Sequence, residues 1–272
     1  MQNNWRILAS GTSDRAVVAM DFGPGSRDAG MSDLVANLTA DAVVWQPVFH
    51  PQTDDPISGT DPDRLVREWL HELRGAGLRV SGVLGYCAGA ALALRMADQI
   101  LAGGDEAPPV VLLEPERVDS SVIQAHFVAS AESYAEVLPP ERIKAAVTAA
   151  ARISSPLGAG IADWDAWMRA DALLDLQGLY DDLVRAVCES FDAGEEVGTG
   201  ISYRFAAFLS YMVTAGRAGA DPTKCSVTPT VVVSEHHELH EGFGVASHRI
   251  PVSRSAFLAD QSVARVVAEA VR

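Results

Sequence analysis

Gly85-Tyr86-Cys87-Ala88-Gly89 has the form G-x-C-x-G. Arg79-Val80-Ser81-Gly82-Val83-Leu84 precedes it as an apolar run, and Ala88 to Leu101 follows at helical spacing. A strand that enters a glycine-flanked turn and leaves as a helix is the setting of a nucleophile elbow, here with cysteine at the apex. The glycines permit a tight, strained turn and close backbone approach. The apex side chain then stands clear of both elements. The helix N-terminus beneath it favours negative charge, which is expected to lower the thiol pKa and to help bind an oxyanion. The Ala88 N–H is expected to be one oxyanion donor. The second is expected from the loop after an earlier strand, at Phe22-Gly23.

Outward from the elbow, short apolar runs alternate with amphipathic ones. Ala16 to Met20 reads as a buried strand and Asp21 to Ser26 as a turn. A helix around Met31 to Leu38, a strand at Ala42 to Trp45 and a polar loop from His50 to Thr60 follow. Asp61-Pro62 opens a helix, with aspartate as N-cap and proline at the first helical position. Leu65, Val66, Trp69, Leu70 and Leu73 form its apolar stripe, and Gly75 and Gly77 end it. Pro108 to Glu114 is the next strand. This alternation predicts a parallel sheet covered by helices.

From about Ser120 to Ala218 the pattern is helical with almost no strand signal. Strands resume at Thr228 to Val233 and near Ile250 to Val252, and a helix closes the chain over about Ser262 to Val271. The expected organisation is one α/β domain. Residues 1–119 and 226–272 form its core, and residues 120–225 form a helical lid. Trp164, Trp167, Met168, Phe205, Phe208 and Tyr211 are candidate walls of a pocket under that lid.

The chain has 272 residues, 48% hydrophobic and 21% charged, which is globular composition. A net charge of −15 argues against nucleic acid and against anionic membranes as partners. The N-terminus shows no signal-peptide pattern, and no apolar run is long enough for a membrane span, so the expected location is the cytoplasm. Three cysteines at positions 87, 188 and 225 do not make a disulfide framework. Cys188 falls on a helical stripe and Cys225 in a loop. The cluster of His236, His237 and His240 with Glu235, Glu238 and Glu241 lacks the H-E-x-x-H spacing and reads as a solvated loop rather than a metal site.

Gly85-Tyr86-Cys87-Ala88-Gly89-Ala90-Ala91-Leu92-Ala93 resembles the elbow of thioesterase domains in nonribosomal peptide and polyketide assembly lines. These have the α/β-hydrolase fold and read G-Y-S-x-G-G before a small, apolar helix start. The likeness is close from about Arg79 to Glu116 and extends beyond as an order of elements. It implies Glu114, at the end of the next strand, as the acid of a catalytic triad. Other α/β-hydrolases place the acid after the strand that follows the lid, which makes Glu235 or Glu238 the fallback. The resemblance puts the histidine just beyond the last strand. Arg254 sits about there, and arginine cannot serve as a general base near neutral pH. The nearest histidine is His248, the expected base.

The resemblance implies an acyl thioester substrate, on an acyl or peptidyl carrier protein or on coenzyme A. It implies no cofactor beyond the 4'-phosphopantetheine arm of that substrate. Carrier proteins are acidic, so docking on an acidic chain requires a local basic patch. A cysteine is intrinsically more nucleophilic than serine and forms a thioester, so exchange with a pantetheine thiol is close to isoenergetic. Hydrolysis needs an activated water, which a weak base slows. The expectation is therefore acyl transfer rather than hydrolysis. Two other functions fit the sequence. One is a diverged hydrolase that works without covalent chemistry, as a cyclase, epimerase or binding protein. The other is an esterase or lactonase on a small molecule.

Overall fold

A computed structural model describes residues 4–22, 29–38, 43–50, 60–154, 170–219, 225–240 and 242–271. Seven strands form one sheet: β1 (Trp5–Ala9), β2 (Arg15–Met20), β3 (Val43–Pro47), β4 (Arg79–Tyr86), β5 (Val110–Leu113), β6 (Thr230–Ser234) and β7 (His248–Ile250). Their spatial order is β1-β3-β2-β4-β5-β6-β7. The β1–β3 pair is antiparallel, and every other neighbouring pair is parallel. This is the mostly parallel sheet the sequence predicts. β1 is the strand that sequence reading missed. It is an edge strand on which only Trp5 is buried, so it presents no continuous apolar run.

Around the sheet lie α1 (Met31–Ala36), α2 (Pro62–Gly75), α3 (Gly89–Ala102) and a closing helix (Gln261–Ala270). The helices α4 (Ser120–Glu132), α5 (Pro140–Ser154), α6 (Ala170–Ser190) and α7 (Glu195–Ala218) come between β5 and β6. The closing helix is therefore α8. Asp61 caps α2 by accepting from the Asp63 N–H, with Pro62 at the first position, as its sequence predicts. Asp119 caps α4 and Asp260 caps α8 in the same way.

Period-2 alternation sorts the strand residues onto two faces. Val17, Ala19, Val44, Leu84, Val111, Leu113 and Val232 join Leu34 and Val35 of α1 and Val263, Ala264 and Val267 of α8 in one buried cluster. The intervening residues face the other side, where α2 and α3 pack. Two glycines mark how closely helices approach. A Cβ on Gly82 would meet Val271 at 3.0 Å, on the α8 side. A Cβ on Gly85 would meet Ala90 Cα at 2.6 Å and Ala93 Cβ at 2.8 Å, on the α3 side. The elbow therefore needs glycine at 85, because α3 starts directly against the last turn of strand β4.

After β7 the chain makes a short 3-10 turn over Arg254–Ala259, where the sequence reads as a loop. Phe257 and Leu258 are fully buried there, each contributing about 1.5–3 kcal/mol of apolar burial. Their anchoring holds the turn that carries Arg254.

The chain divides into two compact units: Met1–Phe49, Asp61–Arg117 and Ala215–Arg272 in one, His50–Thr60 and Val118–Thr214 in the other. Within the second, Phe205 stacks on Tyr180 with centroids 3.9 Å apart. Phe208 packs edge-on against His126. These two expected pocket walls thus take part in the helical unit's own packing, and Tyr211 is buried. Trp164, Trp167 and Met168 lie outside the described residues. Among the described residues, no helix is long and apolar enough to cross a membrane.

Candidate active site

The carboxyl ends of β4, β5 and β6 are adjacent, and each is followed or closed by a polar residue: Cys87, Glu114 and Ser234. Parallel α/β sheets place ligands at this edge because the strand ends and helix N-termini converge there. Cys87 has φ of 51° and Glu114 has φ of 46°. Both stand in the left-handed region, which costs a non-glycine residue about 1–3 kcal/mol. The strain is held by main-chain bonds. The Cys87 N–H donates to the Leu113 carbonyl at 3.0 Å, and the Glu114 N–H to the Val232 carbonyl at 2.9 Å. The Cys87 carbonyl accepts from Ala90 and from Glu116, each at 3.2 Å.

The thiol of Cys87 donates to Glu116 Oε2 at 2.9 Å. Arg254 Nη2 lies 3.7 Å from the sulfur and 3.4 Å from the same Glu116 oxygen. Arg254 Nε faces Glu114 Oε2 at 3.4 Å. Glu114 is fully buried. Its Oε1 accepts from the Ser234 N–H at 3.3 Å and from the Ser234 hydroxyl. His237, whose side chain is 7% exposed, places Nδ1 3.9 Å from Glu114 Oε1. Its Nε2 lies 3.3 Å from the Pro115 carbonyl oxygen. Arg249 holds the turn that carries His237 by donating to the carbonyls of Ser234, Glu235 and His237.

Burial pushes the Cys87 thiol up, and the neighbouring Glu116 carboxylate pushes it further. Arg254 and the Ala88 N–H pull the other way and do not prevail. The expected lowering by the helix N-terminus is thus overturned in this site. Two carboxylates against one guanidinium already leave one excess negative charge, and a thiolate would add another. Arg254 stays protonated well above its ordinary range. Burial opposes this, but the negative groups around it outweigh burial. Burial also pushes Tyr86 up to about 12.

The structure brings Cys87, Glu114 and Arg254 together. It does not bring His248 to them. His248 opens β7 on the exposed side of the sheet edge, pairs through its backbone with Val232, and makes no side-chain bond to Cys87 or Glu114. Glu235 and Glu238 are exposed in the turn after β6, and Glu235 faces His236 rather than the sulfur. Ala88 is buried at the start of α3. Phe22 is half-buried beyond the end of β2, and Gly23 lies outside the described residues. Among the described residues, no group of three or more His, Cys, Asp or Glu is placed to hold a metal ion.

Glu116, Ser234 and His237 were not assigned roles from the sequence. Glu116 leaves a trace in the repeat Glu114-Pro115-Glu116, where two carboxylates follow one strand. Ser234 leaves none, and His237 shows only within the His/Glu cluster that reads as a solvated loop, whereas its side chain is 7% exposed, because the pairing of β5 with β6 brings both residues over Glu114.

Solved structures match along nearly the whole chain. The Vlm2 thioesterase domain with genetically encoded 2,3-diaminopropionic acid and a bound dodecadepsipeptide superposes with a TM-score of 0.51 at 15% identity, covering 98% of this chain and 96% of that one. An α/β hydrolase from Sphaerobacter thermophilus gives 0.50 at 16% identity, covering 98% and 95%. A four-domain nonribosomal peptide synthetase bound to AMP and glycine gives 0.52 at 12% identity; it covers 98% of this chain, which spans only 20% of that one. No protein-family model and no curated protein matches the sequence. At these identities the likeness is one of architecture, and with the sheet order and the elbow it establishes that the chain has the α/β-hydrolase fold.

Proposed function

We propose that this protein acts on acyl thioesters carried by a carrier protein or coenzyme A, in natural-product assembly. It does so through an acyl-enzyme on Cys87. The observation that carries this reading is the cysteine itself: a strained apex residue at the start of a helix, with its sulfur held between an acid and a cation. Cysteine attack on a thioester exchanges one C–S bond for another, so the acyl group stays activated for transfer. Arginine in the general-base place favours transfer over hydrolysis, because hydrolysis requires water to be deprotonated. The thioesterase domains among the matching structures support the substrate class.

A second reading is favoured by the same arginine. A half-buried thiol whose pKa is raised, beside a permanent cation, suits a pocket that has kept its shape and lost covalent chemistry. Incubation with acyl-pantetheine thioesters and intact-mass measurement separates the two. Covalent capture predicts an acyl adduct on the wild type and none on Cys87→Ala. Absence of an adduct on the wild type, or its survival in Cys87→Ala, overturns the covalent reading.

A further inference from the structure

Two carboxylates follow β5, and they have different partners. Glu114 is sealed in, occupied by Ser234 on one oxygen and faced by Arg254 on the other. Glu116 reaches the sulfur directly, with Oε2 2.9 Å from Sγ. It is fastened to the elbow a second time, through its own N–H to the Cys87 carbonyl at 3.2 Å. Its side chain is 19% exposed, so it can exchange protons with solvent, whereas Glu114 is fully enclosed. Among the described residues, Glu116 and Arg254 are the side chains bonded to the sulfur. Of the two, only the carboxylate can accept a proton.

We propose that Glu116 is the catalytic proton acceptor of Cys87, and that Arg254 holds the charge that develops on the sulfur. The inference rests on the covalent reading above and names the base that the reading lacks. Between an ordinary carboxylate and an ordinary thiol, proton transfer at rest is unfavourable by about ten-thousandfold, and the raised Cys87 thiol makes it less favourable still. The proton moves only as the sulfur electron pair commits to the substrate carbonyl. In that step the S–H bond breaks, Glu116 takes the proton and the new C–S bond forms. The tetrahedral intermediate then collapses and its C–S bond to the donor breaks. The donor thiolate leaves and takes the proton from Glu116. In the second half, Glu116 takes a proton from the acceptor amine or thiol as it attacks the thioester. The sulfur of Cys87 is expelled against Arg254 and is reprotonated by Glu116. Each half returns the carboxylate to its starting state and needs no other reactant.

The test compares wild type with Glu116→Gln in two reactions of Cys87: acylation by an acyl-pantetheine thioester and alkylation by iodoacetamide at pH 8, both read by intact mass in a Cys188→Ala, Cys225→Ala background. A proton acceptor predicts opposite signs. Acylation falls by about 10²-fold or more, the range general-base groups supply. Alkylation rises, because removing the adjacent negative charge increases the thiolate fraction. Acylation that is unchanged or faster in Glu116→Gln overturns the assignment while leaving the Cys87 acyl-enzyme intact. No adduct on the wild type overturns the acyl-enzyme itself. Should Glu116→Gln fail to fold, Glu116→Asp withdraws the carboxylate by one methylene. Its acylation is expected to fall at least about tenfold, and a wild-type rate overturns the assignment.

Discussion

Arg254 Nη2 lies 3.7 Å from Cys87 Sγ, in the place where a hydrolase of this fold is expected to keep its base. The same guanidinium faces the buried Glu114 through Nε at 3.4 Å. Glu114 thus lies against a permanent cation on Oε2 and against the His237 ring on Oε1, and its link to the sulfur runs through Arg254.

Arg254→Met is expected to destabilise the fold by about 1–3 kcal/mol, because it leaves a buried carboxylate oxygen without its cation. Arg254 is 48% exposed, which keeps the loss below that of a fully buried pair. Urea denaturation of the variant measures it, and a midpoint equal to wild type would show that Glu114 does not need the cation.

His248→Ala is expected to leave the Cys87 acylation rate within about twofold of wild type, since the ring makes no bond at the sulfur. Intact-mass time courses check this. A loss of tenfold or more would show that β7 shifts during turnover to deliver the histidine.

The raised thiol has a consequence for stability. Below an ordinary cysteine value near 9, the group is neutral in both folded and unfolded chains, and its contribution is fully present. Above that value the unfolded chain ionises first, so the contribution is lost as pH rises towards the higher folded value. Tyr86 adds a similar loss between 10 and about 12. Melting temperatures are therefore expected to fall from pH 9 to 11, and less steeply in Cys87→Ala than in wild type. Equal slopes would show that the thiol ionises normally in the folded protein.

Gly85→Ala is expected to cost about 1–3 kcal/mol, the range for forcing a methyl group into filled space. The atom it would strike at 2.6 Å is the Ala90 backbone, which cannot swing aside as a long side chain would. Because relief must move α3 away from β4, acylation at Cys87 is expected to fall together with the melting temperature. A variant that melts as wild type does would place the helix start elsewhere.

The elbow, the parallel sheet and the helical stretch between β5 and β6 were legible because each depends on neighbours in sequence. Apolar periodicity marks β4 and α3, Gly85 marks their close approach, and Asp61-Pro62 marks a helix start. β1 was not legible, since an exposed edge needs no apolar run.

The sequence by itself determined the fold and the position of the elbow thiol, because both follow from local patterning. Tertiary structure decided what surrounds that thiol. Arg254 reaches it from a turn 167 residues away, anchored by Phe257 and Leu258, and His237 reaches Glu114 across the β5–β6 pairing. It also reversed the expected direction of the thiol pKa. The helix N-terminus is a local effect visible in sequence, whereas burial and the Glu116 charge beside the sulfur are set only by the folded chain.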